Sequence, residues 1–208
     1  MTARGRGEKE MRILLTAFGP FDIFLSNPSE LLAKALSEEF GCRYSVLPVV
    51  FGKARAALIS VLEEEGPDLV ISFGLNGNIS HIALEQIAVN IAYSEIPDNE
   101  GIVREASSID PEGPLAYRSM LPLERVLPLL RKAGIPSRYS FSAGTYICNE
   151  VFYTLMQYCE RTGVRGGFIH IPMASHLISG NPKLLNGPHM ALEQILSAGR
   201  IVLSECLR

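Results

Sequence analysis

The stretch SAGTYICNEVFYTLMQYC, residues 142–159, carries Cys148 from a glycine-containing loop into the start of an amphipathic helix. The first amides of a helix have no intrahelical acceptor, and the macrodipole is positive at that end. Both effects favour thiolate over thiol, and the same N–H groups can hold a developing oxyanion. One position thus activates a nucleophile and stabilises what it makes. A small thiol that only packs is the competing reading, and position alone does not separate the two. Cys159 lies near the end of the same helix, amid YTLMQY, and reads as packing. Cys42 and Cys206 have no motif around them and read the same way.

A nucleophilic cysteine needs a base, and the chain offers four histidines. His170 lies in GGFIHIP, an apolar strand that directly follows the Cys148 helix, so the chain order can bring the two side chains together. A histidine inside such a strand is otherwise a satisfied core residue. His81 starts a strand, and His176 and His189 fall in loop or cap positions. The base in turn needs a group to orient it. Glu85, inside IALEQIAVN, is the candidate, because a carboxylate buried in an apolar strand is costly unless paired. A glutamate facing solvent from an edge strand is the alternative. His170 and His176 have neither helical i,i+4 spacing nor Cys/His partners, so a metal site is not expected.

The elements that must position these residues alternate along the chain. RILLTAF (12–18) is a short apolar run that predicts a buried strand. NPSELLAKALSEEFG predicts a helix with Asn27 as N-cap, Pro28 in its first turn and Gly41 as its stop. RYSVLPVV (43–50) predicts a strand, 52–66 a helix, and PDLVISFG (67–74) a buried strand. Residues 81–93 read as one strand, IPDNEG (96–101) as a turn, and the stretch to 114 as loop. A helix over 121–134 carries Pro128, which predicts a kink or an early break. Then come a strand (135–142), the Cys148 helix (148–163), the His170 strand (165–172) and a last helix (187–207). This order predicts an α/β fold, with a mainly parallel sheet covered on both faces. Ligand sites in such sheets collect at the carboxyl ends of the strands.

The bulk properties narrow the class. The chain has 208 residues, 47% of them apolar, and a net charge of −3, which suits one sizeable core. Its charges are scattered, which argues against a nucleic-acid partner or a polybasic membrane patch. No apolar run approaches the ~18 residues of a membrane span. The first ten residues are charged and lack the apolar core of a secretory signal. They read as a flexible extension before a single domain over 11–208, with Met11 an alternative start. Four cysteines without a C-x-x-C pair point to free thiols and a cytoplasmic location.

Several motifs, in order from about Met11 to the last helix, resemble the pyroglutamyl peptidase I family, the pyrrolidone-carboxylate peptidases. They are LLTAFGPF…NPSE, ALEQIAVN followed by IPDNEG, SAGTYICNEVFYTLM, and RGGFIHIP. The resemblance implies a three-layer α/β/α single domain, with Cys148 as nucleophile, His170 as general base and acid, and Glu85 as orienting carboxylate. It implies hydrolysis of the amide after an N-terminal pyroglutamyl residue, so the partner is an N-terminally blocked peptide. The pocket would use Phe18 and Phe21 against the lactam ring, with Tyr146 and Ile147 as another wall and Asn27 nearby. Metal and organic cofactor are not implied; a cytoplasmic homo-oligomer, often a tetramer, is.

The sequence departs from the family pattern around the substrate. Leu75 stands where members usually carry glutamine, whose amide helps read the lactam. Glu95 stands where arginine is usual before IPDNEG, and a carboxylate near a thiolate opposes its ionisation. Asp22 and Ile23 replace paired glycines, and MASHLIS follows the histidine strand in place of an aromatic and a PEQ-like turn. Two alternatives therefore stand beside the pyroglutamyl reading. One is a cysteine amidohydrolase for another N-terminal acyl group, and the other is a non-catalytic ligand-binding relative.

Overall fold

A computed structural model of the chain describes residues 11–21, 26–178 and 186–208. The expected extension over 1–10 and the departures at Asp22 and Ile23 lie outside the described residues. The elements are β1 (Ile13–Phe18), α1 (Pro28–Phe40), β2 (Arg43–Leu47), α2 (Lys53–Glu65), β3 (Leu69–Leu75), β4 (Ile82–Glu85) and β5 (Ile87–Val89). They continue with β6 (Ala116–Arg118), α3 (Leu123–Lys132), β7 (Ser137–Ser140), α4 (Ile147–Thr162) and β8 (Arg165–Ile171). β9 (Met173–Ala174), a 3-10 turn (Ser175–Leu177), β10 (His189–Met190) and α5 (Leu192–Cys206) complete the chain.

Six strands form the central sheet in the order β2-β1-β3-β8-β4-β7. The pairs β1–β2, β1–β3, β3–β8 and β4–β7 are parallel, and β4–β8 is antiparallel. Side chains alternate between the two faces of a strand. Leu15, Ala17, Leu69, Ile71, Phe73, Ile82, Leu84, Ile169 and Ile171 pack beneath α1, α3 and α5. Leu14, Phe18, Val70 and Phe168 pack beneath α2 and α4. The molecule is thus three layers, as expected from the alternating elements. Among the described residues no helix is long and apolar enough to cross a membrane.

Local signals explain most of the boundaries. Asn27 caps α1 by accepting from the Ser29 amide, Pro28 opens the helix, and Gly41 closes it in the left-handed region. Pro128 does not end the helix: α3 runs four residues past it to Lys132. The segment read as one strand over 81–93 is two. β4 joins the central sheet, while β5 leaves it after Gln86 and pairs with β6 in a separate antiparallel ribbon. β6 itself was not expected. The last helix starts at Leu192 rather than 187, since His189 and Met190 pair with β9 first.

Candidate active site

Alternation fixes which residues share the α4 face of the sheet. On β3 it presents Ser72 and Gly74, on β8 Phe168 and His170, and on β4 Ala83 and Glu85. Ala83 lies opposite His170 in the antiparallel β4–β8 register, and Leu84 opposite Ile169, which sets Glu85 two positions further in, level with Phe168. Reversing β4 therefore puts a carboxylate behind the imidazole rather than at the sheet's rim. Glu85 is 1% exposed, so the alternative of a solvent-facing glutamate on an edge strand is overturned; β7 is the edge. His170 Nδ1 lies 2.8 Å from Glu85 Oε1. Glu85 Oε2 is buried without a hydrogen-bond partner among the described residues. The imidazole is thus the main compensation for a carboxylate deep in the sheet.

With Nδ1 donating to Glu85, Nε2 is left for the sulfur, and Cys148 lies close enough to act on the His170 pKa. Burial alone would lower the pKa of His170. The neighbouring Cys148 and Glu85, and their negative charge, outweigh burial and raise it to about 9. Cys148 is the second residue of α4, after a Tyr146 N-cap whose side chain makes no capping bond. The amides of Ile147 and Cys148 therefore begin the helix with no acceptor inside it. The loop reaches this point through Gly144, whose φ of 77° is in the region that favours glycine.

Gly74, at the end of β3, is the space that admits the sulfur. A Cβ there would stand 2.6 Å from Phe168 Cζ and 3.1 Å from Cys148 Sγ. The other thiols are set apart from any such cleft. Cys159 and Cys206 are buried, and burial pushes both thiols up to about 12. Burial also raises Cys42, at the far end of the sheet between α1 and β2. His176 falls in the 3-10 turn and His189 in β10, where its Nδ1 lies 3.0 Å from Ser175 Oγ; neither lines the cavities at Cys148.

Two neighbouring cavities share Cys148 in their linings. The inner one, about 10 Å³, is a slot lined by Phe18, Phe21, Asn27, Val49, Leu75, Tyr146, Ile147 and Cys148. All six residues expected at the substrate are brought together there. The slot has room for about one water, and two of its walls, Phe21 and Tyr146, are half-buried. Asn27 lines the slot, but its polar atoms already serve the protein: Oδ1 accepts from the Ser29 amide and hydroxyl, and Nδ2 donates to Gly19 O. It holds the Phe18–Phe21 turn to α1. The outer cavity, about 710 Å³, is an open cleft that shares Phe21, Leu75, Tyr146 and Cys148 with the slot and adds His170, Asn76, Tyr93 and Glu95. Asn76, next to Leu75, lines the outer cleft and not the slot, and its Oδ1 accepts from the Asn78 amide.

The sequence profile of the pyroglutamyl peptidases matches residues 11–208. The chain belongs to the pyroglutamyl peptidase family. The pyrrolidone-carboxylate peptidase of Bacillus licheniformis is 40% identical over 196 residues, covering 91% of this chain and 89% of that protein. The one from Pyrococcus furiosus is 39% identical over 207 residues, covering 95% and 98%. Among solved structures, a mutant pyrrolidone carboxyl peptidase from that hyperthermophile superposes with a TM-score of 0.88 at 38% identity, over 95% of this chain and 98% of the other. Pyroglutamyl peptidase I of Bacillus amyloliquefaciens gives 0.88 at 33%, over 96% and 98%.

Within this member of the family, three supports escaped the reading of the sequence. Asn149, fully buried beside Cys148, accepts from Val89 N and donates to Val89 O and Ile91 O, tying α4 to β5. Glu150 accepts from Gly52 N at the start of α2, and its burial raises its pKa, against the pull of that amide and of Arg104 and Arg55. Asp98, in IPDNEG, accepts from the amides of Phe51, Glu100 and Ile102. Burial pushes the Asp98 carboxyl up, but those three donors hold it below the usual carboxylate value. The polar pair Asn149–Glu150, directly after Cys148 in an otherwise apolar stretch of α4, was the available signal.

Proposed function

We propose that the protein hydrolyses the amide after an N-terminal pyroglutamyl residue, with Cys148 as nucleophile, His170 as acid and base, and Glu85 as orienting carboxylate. The observation that carries this reading is the His170–Glu85 pair, with His170 and Cys148 lining one cleft, beside a small slot walled by Phe18, Phe21 and Ile147. A flat, uncharged ring suits such walls. The sulfur of Cys148 attacks the pyroglutamyl carbonyl, and the starting amides of α4 hold the oxyanion. His170 then gives its proton to the departing amine as the C–N bond breaks, leaving a thioester. Water, losing a proton to His170, attacks the thioester and frees pyroglutamate and the thiol. Glu85 keeps the ring oriented throughout, and the steps call on no metal or organic cofactor.

Residues 11–208 act in this proposal as one folding unit, in a cytoplasmic homo-oligomer. Supporting self-association, Ile91, Ile96, Ile102 and Val103 are exposed, and so are Tyr44 and Val46 on the edge strand β2.

Hydrolysis of a pyroglutamyl-coumarin amide tests the reaction, with Cys148→Ala as control. Turnover that disappears in the variant is the expected result. A failure to release coumarin, combined with rapid alkylation of Cys148 by iodoacetamide, would transfer the mechanism to another acyl group. Alkylation of Cys148 no faster than Cys42 would remove the enzyme reading altogether.

A further inference from the structure

Glu95 is the only Asp, Glu, Lys or Arg among the described residues lining the outer cleft. It does not line the slot. Tyr93 OH donates to Glu95 Oε1 at 3.0 Å. Tyr93 is in turn bridged to the loop that delivers the cysteine: its amide donates to Thr145 O, and its carbonyl accepts from Thr145 Oγ1. Tyr146 OH fixes the next turn by donating to Pro97 O. Glu95 makes no salt bridge among the described residues. The slot takes the acyl ring and Cys148 marks the scissile bond, so a peptide leaving the site runs through the outer cleft. A carboxylate held there meets the leaving peptide and not the ring.

From this geometry we propose that Glu95 is a specificity residue that selects substrates whose leaving peptide carries a cationic side chain close to the scissile bond. The proposal rests on the hydrolytic reading above. It adds a substrate class: blocked peptides with lysine or arginine following the pyroglutamyl residue, in preference to acidic ones. The selection is electrostatic at a solvent-open site, so it is modest and weakens with salt.

The test compares pGlu-Lys-Ala-NH2, pGlu-Ala-Ala-NH2 and pGlu-Glu-Ala-NH2 at low and high ionic strength, by kcat/KM, for the wild type, Glu95→Gln and Glu95→Arg. The wild type is expected to favour the lysine peptide over the glutamate peptide by about ten-fold at low salt. Glu95→Gln brings the ratio close to one, and Glu95→Arg inverts it. A wild-type ratio near one, or a ratio that survives in Glu95→Gln, overturns the proposal. Binding of the three peptides to Cys148→Ala, followed by calorimetry, separates this result from a failure of the hydrolytic reading. If nothing is hydrolysed, a charge preference in binding that depends on Glu95 still upholds the inference, and its absence overturns it.

Discussion

At the scale of single residues, the site depends on a proton held where the protein's interior would ordinarily expel it. The pKa of His170 is raised to about 9 although burial acts the other way. A histidine raised above its ordinary value of about 6.5 contributes stability that is fully present below that pH and lost as pH rises through the folded value. The same proton serves the leaving amine, so activity is expected to hold through neutral pH and decline near pH 9. Replacing Glu85 by glutamine removes one of the two charges that raise His170. The alkaline limb of the pH–rate profile should move toward neutrality by about one unit or more, with kcat lower by roughly 10²–10⁴-fold. An unmoved limb would assign Glu85 a packing role only. Gly74 gives a steric counterpart. In Gly74→Ala the new methyl meets the Phe168 ring at 2.6 Å and the Cys148 sulfur at 3.1 Å. Phe168 is fully buried and the helix behind the sulfur is packed, so neither yields freely. Activity should fall at least a hundred-fold while thermal stability drops by only about 1–3 kcal/mol, read from kinetics and denaturation on the same sample.

At the scale of elements, the site exists because loops from different strands are pinned to one another. Asp98 links three amides of two segments, and Asn99 adds bonds from its amide to Val49 O and from Nδ2 to Pro20 O. Together they tie IPDNEG to the turns after β1 and β2, which carry the slot walls Phe21 and Val49. In Asp98→Ala the Phe51 amide, on a residue 5% exposed, loses its acceptor. Unfolding free energy should fall by about 2–4 kcal/mol, and KM should rise more than kcat falls as the walls loosen. Equal activity and stability in the variant would reduce IPDNEG to a surface turn. The helices and the parallel strands were readable from the sequence because their signals are local: Asn27 and Pro28 open one helix, and Gly41 and Gly66 end two. The break at Gln86 was not, since 81–93 is continuous in β-forming residues and only tertiary pairing with β6 divides it. For the same reason, period-two reasoning could put Glu85 on a face but not tell which face. That answer required the antiparallel β4–β8 register, a long-range pairing with no trace in either strand's own residues.

At the scale of the whole molecule, the four cysteines report on the two halves of the core as well as on the site. Cys159 belongs to the cluster under α2 and α4, and Cys206 to the cluster under α1, α3 and α5, on the opposite face of the sheet. Both are fully buried, with thiols raised to about 12, so neither reacts until its layer opens. The central sheet contributes alternate residues of the same strands to both clusters. Neither layer can therefore unfold without exposing the other's floor, and residues 11–208 should unfold as one cooperative unit. The measurement is labelling of Cys148→Ala, which lacks the cleft thiol, by a maleimide in increasing urea. Cys42 should label early, being half-buried, whereas Cys159 and Cys206 should label together, with coincident midpoints that match loss of circular dichroism. Two separated midpoints would divide the molecule into independently opening layers. Coincidence would mean that the slot on one face draws on the packing of both, so that a cavity cut beneath α5, as in Val202→Ala, weakens a site it never touches.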